Sequence, residues 1–244
     1  MREYKQMIHH EMNESKNTAQ RMINSLREVV FGLEDGIVST LGAITGIAVG
    51  TQNTGIVIVS GLVIIFVESL SMSAGTFLSS KSENEMKERM LAEERYEIQT
   101  NPEKEKRELR EFYESRGFQP DEIEMMIARV TSDEELWLEE MAYRELGIIP
   151  DEEDTAVRDA GFMGISYIAG GVIPLTAYFF LPVGSAMPIS IGGAVTALFL
   201  LGYAKGKLVH TNPYKSGVEM MIVSASAAAL GYVVGAVASN IFNI

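Results

Sequence analysis

Apolar residues along this chain gather into five blocks, near Val29 to Gly50, Gly55 to Ser79, Ala156 to Leu181, Met187 to Leu208 and Gly217 to Ile241. Each is about 22 to 26 residues long, enough for a tilted helix to cross a hydrocarbon core of roughly 30 Å. Two of the blocks carry small residues at four-residue spacing, Gly42, Gly46 and Gly50 in the first and Ala227, Gly231, Gly235 and Ser239 in the last. Such a strip lets another helix backbone approach closely, so both helices are expected to pack against protein. Pro174 is a predicted kink in the third block.

The polar stretches between the blocks have helical patterns of their own. Residues 1–27 set Met7, Ile8, Met12, Met22, Ile23 and Leu26 among charged and amide side chains, the mark of an amphipathic segment lying along the membrane face. They carry no apolar core of the kind a cleaved signal peptide has. His9 and His10 are neighbours, about 100° apart on a helix, and poorly placed to hold one ion together. Residues 81–155 read as four helices. The first runs from Ser82 to Gln99 and stops at Asn101-Pro102; the second runs from Pro102 to Ser115 and stops at Gly117. A third follows Pro120, and a fourth, from Ser132 to Leu146, opens on a Ser132/Glu135 capping-box pattern and closes at Gly147.

Charge sharpens this division. Between Lys81 and Asp159 there are 25 acidic and 12 basic residues, so that window holds the whole net charge of −13, and the rest of the chain is balanced. An acidic segment of this kind repels nucleic-acid phosphates and attracts cations, which excludes nucleic acid as a partner. There are no cysteines, hence no disulfide and no thiolate metal site. Lys and Arg are absent from the turns after blocks one and three, while Lys205 and Lys207 end block four, Lys215 follows it, and five basic residues precede block one. The positive-inside rule then places the N-terminus and the acidic segment in the cytoplasm and the C-terminus on the opposite side. The expectation is an all-α protein, a five-span transmembrane helix bundle with a cytoplasmic helical insertion domain between spans two and three. Its parts are residues 1–27, spans one and two in 28–80, the acidic insertion in 81–155, and spans three to five in 156–244.

Ionisable groups within spans are expensive and face a wet cavity or an ion path rather than lipid. The candidates here are Glu34, Asp35, Glu68 and Glu219, with Met72 one turn beyond Glu68 on the same face. Hard carboxylates combined with a soft thioether suit a borderline ion such as Fe²⁺ or Mn²⁺ better than Mg²⁺ or Ca²⁺. Burial raises a carboxylate's pKa and an arriving metal ion lowers it, so metal and proton compete for the same group. Met72 read alone is more readily an apolar filler than a ligand. Glu34 and Glu219 lie close to span ends, where headgroup-level solvation is the alternative. In the insertion, Glu94 with Glu97 and Glu105 with Glu108 are i,i+3 pairs that project carboxylates from one face of each helix. Spacing leaves a second reading open, because Lys104 with Glu108 and Glu103 with Arg107 also fit salt bridges on a solvated helix.

The motifs FGLEDGIVST (31–40), SMSAG (71–75), NPEKEKRELREFYESRGF (101–118), RELGI (144–148) and IPL (173–175), in that order around an acidic insertion, resemble the vacuolar iron transporter family. The resemblance covers essentially the whole chain. It implies a homodimer of five-span protomers that exports Fe²⁺ or Mn²⁺ from the cytoplasm in exchange for protons, with no prosthetic group and no enzymatic activity. The membrane would be the cell membrane in a prokaryote or the vacuolar membrane in a eukaryote. It implies that Asp35 and Met72 lie on the transport path, and that Glu94, Glu97, Glu105, Glu108, Met141 and Glu145 bind metal before translocation; Glu140 is a further ligand by proximity. One departure stands out. Where the family commonly has a glutamate after the SM motif, this chain has Thr76, while Glu68 appears two turns earlier, about 12 Å along the helix and rotated by about 80°. Either Glu68 partly replaces that carboxylate or stoichiometry and metal preference differ. Two other classes compete: a ferroxidase-like di-iron protein, for which the insertion lacks the histidine of a Glu-x-x-His site, and a membrane-anchored metal sensor.

Overall fold

The computed structural model of the chain describes residues 2–148 and 155–242, with side chains over 25–148 and 155–241. His9, His10 and most apolar positions of the amphipathic segment fall outside the described side chains. Among the described residues all regular structure is helical: α1 Arg2–Thr51, α2 Thr54–Thr100, α3 Pro102–Ser115, α4 Pro120–Val130, α5 Glu134–Met141, α6 Ala156–Leu175, α7 Val183–Leu208 and α8 Pro213–Phe242. Five stretches are long and apolar enough to cross a membrane, lying in α1, α2, α6 with its extension, α7 and α8. The chain divides into two compact units, Met1–Leu78 with Thr155–Ile244, and Ser79–Asp154.

In the first unit α1 packs along α6 and α8, and α7 along α8. The approach of α1 to α6 is so close that a Cβ on Gly36 would run into the Tyr167 carbonyl, and one on Gly170 into the Leu33 carbonyl. The two small-residue strips read from the sequence meet each other: Gly231 backs onto the Gly42 carbonyl and Gly235 onto that of Gly46. With backbones this near, dispersion contacts along the whole crossing replace interlocking large side chains. One apolar core joins Ile44, Ala48, Val57, Ile65, Leu175 and Tyr178, and another joins Ile37, Leu41, Ala194, Leu198 and Met220. At Pro174 the expected kink takes the form of an ending. Proline cannot donate to the carbonyl four residues back, and α6 stops at Leu175 and tightens into a 3₁₀ turn, Thr176–Phe179. Ser190 Oγ donates to the Pro174 carbonyl at 2.6 Å.

The second unit is built on Ile98, Leu109, Tyr113, Ile123, Ile127, Trp137, Leu138 and Met141. Its helix ends follow local chemistry. Pro102 and Pro120 occupy first turns, and Gly117 and Gly147 adopt φ of +82° and +66° where helices stop. Two details differ from the sequence reading. The helix of span two does not end before the insertion but continues to Thr100, because no glycine or proline interrupts Thr76 to Thr100, and a change from apolar to polar side chains does not by itself break a helix. The cap of α5 is Asp133, whose Oδ1 accepts from the Glu135 and Leu136 amides at 3.1 and 3.3 Å, while Ser132 Oγ turns back to the Arg129 carbonyl. The reciprocal capping box forms one helix earlier, between Gln119 and Glu122.

Replacing Gly36 by Ala is expected to destabilise the protein by about 1–3 kcal/mol through overpacking at the α1–α6 crossing. Gly161→Ala, where no neighbour lies within 4 Å, serves as the control with unchanged melting temperature in detergent.

Candidate functional site

The second unit holds a carboxylate cluster. The break at Asn101-Pro102 brings α3 back against α2, so that the i,i+3 pairs of the two helices converge. Glu94 from α2, Glu105 from α3 and Glu145 each place a carboxylate oxygen within 4.8 Å of the other two. Glu145 arrives from a π turn, Ala142–Leu146, that follows α5; the extra residue in such a turn shifts the side-chain register past Met141. Glu94 is 6% exposed and Glu105 1%, so the solvated-helix alternative fails for these two. Their oxygens Glu94 Oε1 and Glu105 Oε2, and Oε2 of half-buried Glu108, are buried without a partner. A buried carboxylate oxygen with no donor is costly, and several facing one another more so.

Protonation registers that cost. Burial, reinforced by the charges of Glu145, Glu105 and Glu97, pushes the Glu94 carboxyl up to about 7. Burial also raises Glu105 and Glu145 above the usual carboxylate range. Glu97 goes the other way, held down by its hydrogen bond from Lys104. Lys104 Nζ reaches Glu97 Oε2 at 2.5 Å, Glu105 Oε1 at 3.2 Å and Glu108 Oε1 at 3.4 Å. The i,i+4 contact expected from spacing is therefore only part of its bonding. The other expected pair does not form as read, because Glu103 is bound by Lys106 at 2.9 Å. Met141 is 2% exposed and lines a cavity of about 310 Å³ with Glu108, Glu145, Phe112 and Arg144. Glu140 stands apart: its Oε1 accepts from Tyr113 Oη at 2.6 Å and from Arg144 Nε at 2.8 Å, so that oxygen is committed elsewhere.

The polar groups of the first unit form a second constellation. Asp35 is half-buried and its Oδ1 accepts from Ser39 Oγ at 3.1 Å, one turn on. Across the α1–α6 crossing, the Tyr167 side chain is wholly buried and its hydroxyl has no hydrogen-bond partner. Ser69 anchors α2 to α6 by donating to the Gly164 carbonyl at 3.0 Å. Met72 is half-buried, but Glu68 is exposed among the outward-facing Phe66, Val67 and Leu70. Glu34 is half-buried on another face of α1, and Glu219 is exposed and pairs with Lys215 at 3.9 Å at the start of α8. Sequence reasoning passed over two residues. Glu28, 5% exposed and bonded by Arg27 Nη2 at 2.8 Å, sits seven positions before Asp35 and so on nearly the same helix face; that spacing was a usable signal. Tyr167 gave none, because its approach to α1 arises only where α6 crosses that helix.

A bundle of apolar helices holding buried carboxylates, joined to a helical unit with a carboxylate cluster, defines a polytopic helical membrane protein of a kind that handles cations. The VIT family profile matches residues 26–236, and the chain belongs to that family. It is 29% identical over 208 residues to vacuolar iron transporter 2 of Oryza sativa subsp. japonica, covering 85% of each chain. It is equally 29% identical to vacuolar iron transporter 1 of Arabidopsis thaliana, over 85% of this chain and 83% of the relative. A vacuolar iron transporter of Plasmodium falciparum is 26% identical over 89% of this chain and 83% of its own length.

The raised Glu94 carboxyl fixes the sign of a pH effect. Between its ordinary value near 4.5 and about 7 the folded chain keeps a proton that the unfolded chain has lost, so metal-free stability falls as pH rises through that window. Unfolding followed by Trp137, the single tryptophan, is expected to show a lower melting temperature at about pH 8 than at about pH 5.5. Glu94→Gln should flatten the difference.

Proposed function

We propose that this protein is a secondary transporter that exports Fe²⁺ or Mn²⁺ from the cytoplasm in exchange for protons. The ion is captured by Glu94, Glu97, Glu105, Glu108, Met141 and Glu145 and passes the membrane by way of Met72, Glu68 and Asp35, with Glu34 at the cytoplasmic entrance. The observation that carries this reading is the convergence of three carboxylates, two of them buried with unpartnered oxygens. That arrangement is unfavourable alone and favourable around a divalent cation, which replaces repulsion with coordination and displaces the proton from Glu94. The thioether of Met141 beside the cluster favours a borderline ion over Ca²⁺. Family membership and relatives named vacuolar iron transporter agree with iron as cargo.

Exchange requires a membrane carboxylate that holds either a proton or the ion. Asp35 suits this role: its recorded side-chain hydrogen bond comes from a single hydroxyl, Ser39, which leaves acceptor capacity for either. The working form is a homodimer. Exposed Glu68 on an apolar helix face would be costly against lipid, and a second copy laid against that face turns the position into an interface. By its loop charges, the protein sits with its N-terminus and acidic unit in the cytoplasm; among the relatives named above, the named membrane is vacuolar. The cluster contains no histidine, so nothing in it favours a ferroxidase-like reading.

Reconstituted in liposomes, the protein is expected to take up Mn²⁺ faster under an opposing proton gradient, and Asp35→Ala to lose at least about tenfold of that rate, as loss of an obligatory ligand would. Uptake indifferent to the gradient would make it a uniporter; uptake unaffected by the substitution would remove Asp35 from the path.

A further inference from the structure

We infer that Lys104 is a tethered counter-cation of the carboxylate cluster, an affinity-setting residue whose ammonium group stands in the place of an incoming divalent ion and must leave when the ion binds. The inference rests on metal capture by this cluster and adds the group that opposes it.

One ammonium here contacts three carboxylates on two helices, Glu97 of α2 and Glu105 and Glu108 of α3. Glu105 is the shared member. Its Oε1 receives Lys104, while its Oε2 is buried with no partner and its carboxylate belongs to the group formed with Glu94 and Glu145. A lysine ammonium is a compact point charge on a flexible stem and accepts loose geometry. A divalent ion needs oxygens at roughly 2.0–2.2 Å and several of them at once. The lysine holds Oε1 of Glu105 and Oε1 of Glu108; an ion that chelates either carboxylate through both oxygens needs those same atoms, and two cations on one carboxylate repel. The two partners also differ in freedom. The Lys104 side chain is 45% exposed and can swing into solvent, whereas that of Glu105 is 1% exposed and fixed in place. Ion entry therefore expels the lysine, and ion departure lets it return.

The consequence suits a capture site that must also release. The tethered cation weakens the bound state by the interactions the ion has to break, and it refills the cluster afterwards, so that the empty form is not left with its full charge repulsion. An ordinary surface lysine would act differently, through a screened field shared with every neighbouring charge. Lys106 supplies that comparison within the same helix, because its ammonium bonds Glu103 at 2.9 Å and none of the cluster.

Mn²⁺ binding to the full-length protein in detergent, read from the free-ion electron paramagnetic resonance signal, tests the inference. Lys104→Met and Lys104→Gln are expected to bind about tenfold more tightly than the unaltered chain, the scale of one charge-assisted contact. Lys106→Met should stay within about twofold, and Glu105→Gln should abolish the tight binding in both the original and the Lys104→Met backgrounds. Saturable binding that Glu105→Gln removes but that both Lys104 variants leave unchanged, or alter no more than Lys106→Met does, overturns the role of Lys104 alone. No saturable binding in any variant, with Trp137 fluorescence reporting a folded chain, overturns metal capture as well.

Discussion

Carboxylates that face one another out of water are the constraint around which the second unit is arranged. Burying one carboxylate without a donor already opposes folding; here Glu94, Glu105 and Glu145 meet within 4.8 Å, two of them nearly inaccessible. The surrounding core holds them there. Leu109 and Tyr113 lie four and eight positions beyond Glu105 on α3, and Ile98 lies four beyond Glu94 on α2, so the stripes that bury the apolar core also bury the acids. The helices cannot form that core without bringing the carboxylates together. A protein that pays this cost in its metal-free form, partly relieved by a proton on Glu94 and by Lys104, is poised to gain when a divalent cation arrives.

The first unit solves a different problem with the same residue type. Its acids are dispersed among helices whose relative placement depends on missing side chains. Without a Cβ at Gly36 or Gly170, α1 and α6 come close enough to bury the Tyr167 side chain at their crossing. The opposed glycines of α1 and α8 fix the other side of α1 in the same way. Rigid backbone contacts on two sides hold Asp35 on a helix that cannot easily roll, which keeps its carboxylate at one depth and one bearing.

Much of this was legible in the chain because the deciding signals are local or periodic. Five apolar blocks, the two glycine strips, the Asn101-Pro102 break and the stops at Gly117 and Gly147 each report themselves within a few residues. The family motifs added candidate site residues that spacing left ambiguous between a ligand set and a solvated face. What stayed hidden is relational. Continuity of α2 through the membrane boundary depends on the absence of a breaker, a weaker signal than its presence. The competition between Asp133 and Ser132 for the α5 cap turns on backbone geometry that either residue type permits. The commitment of Glu140 to Tyr113, the reach of Lys104 to Glu97, and the approach of Tyr167 to α1 each join residues on different helices, and no single-helix pattern encodes them.

The two acidic sites therefore invite different chemistry for a physical reason. In the cluster the acids are packed and mutually repulsive, and their charge is offset by a proton on Glu94 and by the half-exposed Lys104; on the proposed reading such a site would discriminate by how well a cation satisfies several oxygens at once, with Met141 close by as a softer neighbour. Around Asp35 the acids are separate, and its side-chain donor is a serine hydroxyl that carries no charge. A hydroxyl can orient a carboxylate without neutralising it, so on the proposed reading the charge of Asp35 is left to a proton or a metal ion. On that proposal such a site would not hold both at once, and mutual exclusion at one carboxylate is the least machinery with which a membrane protein can couple the two movements.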